Sequence, residues 1–170
     1  FTWHVNTDEV KKNGLRYFRG MNYALIKLIE EGLFEKYEAF FLITNDTELK
    51  RTKTLEKLYK ILGDHPYLGL ISPCSEDWGE LKLLKEQTIK YFWFIHTNAY
   101  LIRKEMIKDI ANFEDSNINT FLFDGNNFRG YGSEHEIIAK GYANNWASAI
   151  TSEVIAGENE SYLINRSKNI

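Results

Sequence analysis

The sequence predicts a single α/β domain with a mixed, mainly parallel sheet flanked by helices, and three observations predict it. Ala39 to Ile43 is a continuous apolar run without alternation, the pattern of a strand covered on both faces. Gly20 to Leu33 carries Met21, Ala24, Leu25, Leu28 and Ile29 at helical spacing, so an amphipathic helix precedes that strand. A second helical stripe follows, leading to the short apolar run Leu68 to Ser72. Alternating strands and helices imply parallel strands joined by crossovers. With 170 residues, 44% of them hydrophobic, the chain is long enough for one well-packed domain rather than two.

The elements are justified in order. Phe1 to Asn6 alternates bulky and polar residues and reads as a strand already in progress, so the chain is expected to be a fragment or a processed product. Asn13-Gly14 signals a turn before the first helix. The second helix has Thr52 or Thr54 as its N-cap, Leu55, Leu58, Ile61 and Leu62 as its stripe, and Gly63 at its end. Pro73 is expected to stop the strand begun at Leu68, because proline has no amide to donate. The polar stretch from Pro73 to Gln87 holds Trp78 and reads as a lid or binding loop. Tyr91 to His96 and Ala99 to Ile102 read as strands, with Trp93 in the core. Glu105 to Phe113 reads as a helix. Glu114 to Ser133 is a long loop rich in glycine, asparagine and aromatic residues, and loops of that length are often functional. Ser133 to Ala143 is a helix, Ser148 to Ile155 a last strand, and Gly157 to Ile170 a polar tail.

Composition narrows the function. A net charge of -3, with no basic run longer than Lys11-Lys12 or Lys50-Arg51, argues against a nucleic-acid partner held by phosphate neutralisation. The single cysteine, Cys74, excludes an intramolecular disulfide or a cysteine-rich zinc site and suits a reducing compartment. No apolar run approaches the roughly 18 residues of a membrane span, so no transmembrane segment is expected. The expected location is the cytoplasm, in solution or at a membrane surface.

Two acidic clusters remain. Asp46 and Glu48 follow the apolar strand, at the carboxyl end where open α/β sheets bind ligands. A carboxylate there either holds a cation or donors, or forms an Asx turn or a cap. Glu134 and Glu136 open a helix. Glu136 fits a capping box with Ser133, whereas Glu134 either serves chemistry or favours the helix dipole. Trp78 either packs or stacks on a ligand ring. His4, His65, His96 and His135 are not spaced as a metal cluster.

Taken in order, Asn13-Gly14, Arg19-Gly20-Met21-Asn22, the Leu42 to Glu48 strand end, Asn98 to Glu105, and Gly132 to Ile137 with Lys140 resemble the inverting glycosyltransferases of family 2. The resemblance spans about Asn13 to Ile155. It implies the GT-A fold, a nucleotide-diphospho-sugar donor, a carbohydrate or other hydroxyl acceptor, and a role in glycan or polysaccharide biosynthesis. Thr44-Asn45-Asp46 falls on the family's D-x-D motif, so Asp46 would be the metal ligand for Mg²⁺ or Mn²⁺, with Thr44 and Asn45 beside the donor. Asn22 matches the donor-side asparagine of a G-x-N segment. Glu134 falls on the general base of the G-E-D-x-D-L segment, and Glu136, with Trp78, falls on the acceptor side. Thr44 and Ser133 replace acidic residues, Glu134 replaces an aspartate, and Lys140 stands where arginine is usual. A metal-binding histidine expected after the last strand is absent, leaving Glu158 as its substitute. The family's opening strand, helix and strand, which grip the base, are not in this sequence, so an N-terminally truncated domain is expected. The rival readings are a non-catalytic carbohydrate-binding or scaffolding relic of the fold and a sugar nucleotidyltransferase.

Overall fold

The computed structural model describes residues 7–75, 80–84, 87–95, 98–127 and 132–159. In chain order the elements are α1 (Thr7–Asn13), α2 (Tyr17–Glu30), a 3-10 turn (Phe34–Lys36), β1 (Ala39–Ile43), β2 (Thr47–Leu49), α3 (Thr54–Asp64), β3 (Leu68–Ser75), α4 (Glu80–Leu84), β4 (Ile89–Tyr91), β5 (Ala99–Arg103), α5 (Lys104–Ile110), α6 (Ser133–Ala143) and β6 (Ala147–Glu158). The expected opening strand, Phe1 to Asn6, lies outside the described residues, as does most of the tail. No helix of the described residues is long and apolar enough to cross a membrane.

The strands form one six-stranded mixed sheet in the order β1-β5-β3-β6-β2, with β4 also on β6. The expectation of a mainly parallel sheet is corrected: β3 and β6 are parallel, while the other pairings are antiparallel. β1 and β3 point the same way, but β5 enters between them in reverse, pairing Phe41 with Leu101 on one side and Ile71 with Leu101 on the other. The carboxyl ends of β1, β3 and β6 therefore lie at one end of the sheet.

Alternate side chains along the strands feed two cores, as the two-residue period requires. Leu70, Ile102 and Ile150 join Phe18, Leu25 and Ile26 of α2 and Ile137 and Ile138 of α6 on one face. Ile71, Leu101 and Ala149 join Leu58, Ile61 and Leu62 of α3 on the other. Leu55, expected in the α3 stripe, is 53% exposed, because it lies on the outer side of the first turn. β3 runs through Pro73 to Ser75. Proline is tolerated there because the register shifts at that point: Pro73 faces Thr151 and the next pair is Cys74 with Ile155, so β6 bulges over three residues. The strand expected from Tyr91 is instead β4, ending at Tyr91. Trp93 lies beyond it and is 58% exposed, its ring against Phe92, Phe94 and His135, so it is not a core residue.

The long loop after α5 is not a surface excursion. Phe121, Leu122 and Phe123 are buried in the α2 core, which requires partners for their backbone. Asn22, fully buried, supplies them: its Nδ2 donates to the carbonyls of Ile118 (2.9 Å) and Phe123 (2.8 Å), and its Oδ1 accepts from the amides of Leu122 and Phe123, both at 3.0 Å. Gly125 completes the turn. A Cβ there would lie 2.5 Å from the Ile118 carbonyl oxygen and 2.7 Å from the Asn119 Cα. From the other side, Lys140 Nζ donates to the Leu122 carbonyl (2.7 Å) and to Glu136 (2.6 Å), whose carboxylate also accepts from the Asp124 amide at 3.1 and 3.2 Å.

Replacing Asn22 by leucine leaves two amides and two carbonyls buried without partners, each costing about 1–3 kcal/mol. Urea denaturation of Asn22→Leu is therefore expected to show a loss of at least about 3 kcal/mol, with amide protection lost across residues 118–125.

Candidate functional site

At the carboxyl end of β1 the chain makes a tight polar turn before β2. The Thr44 amide donates to the Asn98 carbonyl (2.8 Å), and the Thr47 amide to the Thr44 carbonyl (3.3 Å). The Thr44 hydroxyl donates to Asp46 Oδ1 at 2.5 Å, while that of Thr47 donates to the Asn98 carbonyl at 2.8 Å. Asp46 caps no helix. Its carboxylate takes the hydroxyl two residues back, which fixes one oxygen and the side-chain direction. Pairing of β2 with β6 sets Thr47 opposite Glu158, and the Asn159 amide donates to the Asp46 carbonyl at 2.8 Å. Glu158 Oε1 in turn accepts from Asn98 Nδ2 at 2.7 Å. Asp46, in the turn just before β2, and Glu158, on the strand that β2 pairs with, are thus brought to the same end of the sheet.

Thr44, Asn45 and Asp46 form one wall of a cleft of about 400 Å³, and the first turn of α2, with Arg16, Tyr17, Gly20 and Met21, forms the other. α2 begins one turn before the expected Gly20. No acidic residue lies in its first turn and Arg16, its N-cap, makes no side-chain cap hydrogen bond, so the first turn brings the positive end of the helix dipole to the cleft. A Cβ on Gly20 would meet nothing within 4 Å. The cleft joins a carboxylate to a positive helix end and an arginine, a combination suited to a cation together with an anionic ligand.

Asn22 is corrected: with both donors and both acceptor positions spent on the 118–123 backbone, it offers nothing to a donor and acts by holding that loop. Glu136 is also corrected as a capping-box partner. The N-cap of α6 is Gly132, at φ 83°, and the Glu136 carboxylate holds the Asp124 amide and Lys140 instead. Glu134 lies in the first turn of α6 with its side chain 17% exposed, 3.4 Å from His135 Nδ1. It does not line the cleft that Asp46 shares with α2. Trp78 lies outside the described residues. Among the described residues no group of three or more histidine, cysteine, aspartate or glutamate side chains gathers as a metal centre.

Sequence reasoning missed Arg16 and Arg19. A signal was present: arginines at the N-cap and in the first turn of a helix, where the dipole favours acids, break a local rule without an evident structural gain.

Compared with known proteins, the chain matches no family model, and no curated protein matches it in sequence.

The end of β3 holds a further pair. Burial pushes the Cys74 thiol up to about 12, with the Glu80 charge adding to the effect, so the thiol is inert rather than nucleophilic. Glu80, 4% exposed, is raised chiefly by desolvation, against hydrogen bonds from its own backbone amide and that of Ser75. A carboxyl raised in the folded state stabilises the fold fully below its unfolded value and loses that contribution as pH rises through the folded one. Glu80→Gln is therefore expected to raise the melting temperature at pH 7 and leave it unchanged near pH 4, as thermal denaturation at the two pH values will show.

Proposed function

We propose that this domain transfers a sugar from a nucleotide-diphospho-sugar to a hydroxyl acceptor with inversion, as a GT-A-type, metal-dependent glycosyltransferase. The observation that carries the reading is the cleft at the carboxyl end of β1, where Asp46 faces the positive end of α2 and Arg16. A diphosphate with a divalent cation needs that pair of walls.

The donor set fits Mg²⁺ or Mn²⁺ bound mainly through a ligand. Such hard cations take one or two carboxylates from protein and keep water and phosphate oxygens for the rest. Asp46, oriented by Thr44, is the residue to hold it, with Glu158 at the same end of the sheet. When bound there, such a cation would neutralise charge on the departing diphosphate. Arg16 and the α2 amides stabilise the same charge from the opposite wall. Glu134 accepts the acceptor hydroxyl proton as its oxygen attacks the anomeric carbon, and the sugar–phosphate bond breaks on the far side, which inverts the centre. The 118–125 loop, held by Asn22, Lys140 and Glu136, joins the α2 side of the donor cleft to the start of α6.

One observation favours a second reading, a sugar-nucleotide-binding relic without turnover: Glu134 stands outside the lining of the Asp46 cleft. Two substitutions separate the readings. Glu134→Gln is expected to lower transfer by about 10²-fold or more while nucleoside diphosphate binding is spared. Asp46→Asn is expected to abolish Mn²⁺-dependent nucleoside diphosphate binding in calorimetry. Asp46-dependent binding without transfer or hydrolysis of any nucleotide sugar by the unsubstituted protein would select the relic; transfer unaffected by Glu134→Gln would remove Glu134 as the base.

A further inference from the structure

Helix α3 is apolar on two sides. Leu58, Ile61 and Leu62 face the sheet and are buried, as the inner stripe of a packed helix requires. Leu55 and Tyr59, one turn apart on the outer side, stay 53% and 51% exposed. Together with Tyr37, Phe41 and Leu101 they line a groove of about 490 Å³ on the same face of the sheet. Exposed apolar side chains gathered in this way mark a surface that meets a membrane or another protein.

The charge around this patch runs against that of the chain. Lys50 to Lys60 holds five of the 21 basic residues, Lys50, Arg51, Lys53, Lys57 and Lys60, but one of the 24 acidic ones, Glu56, a net +4 in a chain of net charge -3. Lys36 adds to them at the groove. The helix dipole does not account for these cations, because the last turn of α3, where it favours them, has none. The acidic side chains nearby are engaged: Glu56 pairs with Lys53 at 3.4 Å, and Glu38 accepts the Tyr59 hydroxyl. Arg51 Nη1 and Lys57 Nζ donate to the carbonyls of Ser152 (2.9 Å) and Glu153 (3.3 Å), which ties their charge to the β6 bulge.

That chemistry selects the occupant. Lysine is depleted in protein–protein interfaces, whereas roughly four to eight basic residues on a helix suit anionic lipid headgroups. Leucine and tyrosine enter the boundary between headgroups and acyl chains, and long cationic side chains reach the phosphates beside them. We propose that the outer face of α3, with Leu55, Tyr59 and the basic residues from Lys50 to Lys60, docks the domain on an anionic membrane surface. The contact is peripheral and does not depend on sugar transfer.

Co-sedimentation with vesicles of equimolar phosphatidylcholine and phosphatidylserine tests it. Binding is expected to these vesicles and not to phosphatidylcholine alone, and it weakens as salt is added. Leu55→Ser and the double substitution Lys53→Gln/Lys60→Gln are each expected to weaken it at least about tenfold, with the circular dichroism spectrum unchanged because all three side chains are exposed. Lys11→Gln/Lys12→Gln removes as many charges from exposed positions of α1 and is expected to leave binding as it was. Absence of vesicle binding by the unsubstituted protein would overturn the proposal, and so would an equal loss in the α1 variant, which would reduce the effect to bulk charge. Without vesicle binding, a dimer in sedimentation velocity that Leu55→Ser dissolves would overturn it in favour of a second copy on the same face. Transfer to a soluble acceptor is unaffected by Leu55→Ser in any of these cases, so the transferase reading stands or falls on Asp46 and Glu134.

Discussion

One buried amide organises this molecule. The segment 118–125 carries Phe121, Leu122 and Phe123 into the core without a helix or strand to satisfy its backbone, an arrangement that would ordinarily be prohibitive. Asn22 makes it affordable by giving every hydrogen-bonding position it has to that segment. Because Asn22 belongs to α2, the loop and the helix are fixed to each other, and the aromatic stack of Phe18 on Phe123 fills the space between them. The placement of Gly125 against Arg19, and of Asp124 against Glu136 at the start of α6, follows from that single junction.

α2 is in consequence a partition. Its first turn meets the polar end of β1 on one flank and the glycine turn of the loop on the other. The strand directions make the first meeting possible, since β1 and β6 both end on that side and β2 ties them, bringing Asp46, Thr47 and Glu158 into one hydrogen-bonded neighbourhood. The chemistry proposed for the domain draws on this geometry: negative charge on the strand side, positive charge on the helix side, and space between.

What could be read from sequence was whatever is encoded locally. The run Ala39–Ile43 is β1 to the residue, and the expected α6 runs over its observed span, because an apolar run and a helical stripe bounded by glycine or polar residues are local signals. Sheet order was not legible, since the insertion of β5 between β1 and β3 depends on a pairing across some sixty residues of chain. Trp93 misled for a related reason: aromatic composition does not say where a strand ends, and β4 ends at Tyr91. Among the candidate residues, Asp46 was singled out by its position at a strand end, and the fold places it on the wall of a cleft. Asn22 was found for its place in a motif, although its hydrogen bonds go to the protein itself, and only the fold could show where they go.

The part played by β6 has a bearing on how the chain acquires its fold. This strand, Ala147–Glu158, holds β3 along one edge and both β4 and β2 along the other, yet it comes after all of them in sequence. β2 and β4 have no other strand partner among the described residues. During synthesis they must wait, as must the exposed edge of β3, until a strand roughly a hundred residues downstream of β2 is made. Pairings of such sequence separation are slow to close and dominate the folding barrier. Assembly of this sheet is consequently a late and concerted event, in which one strand brings three waiting partners into register together.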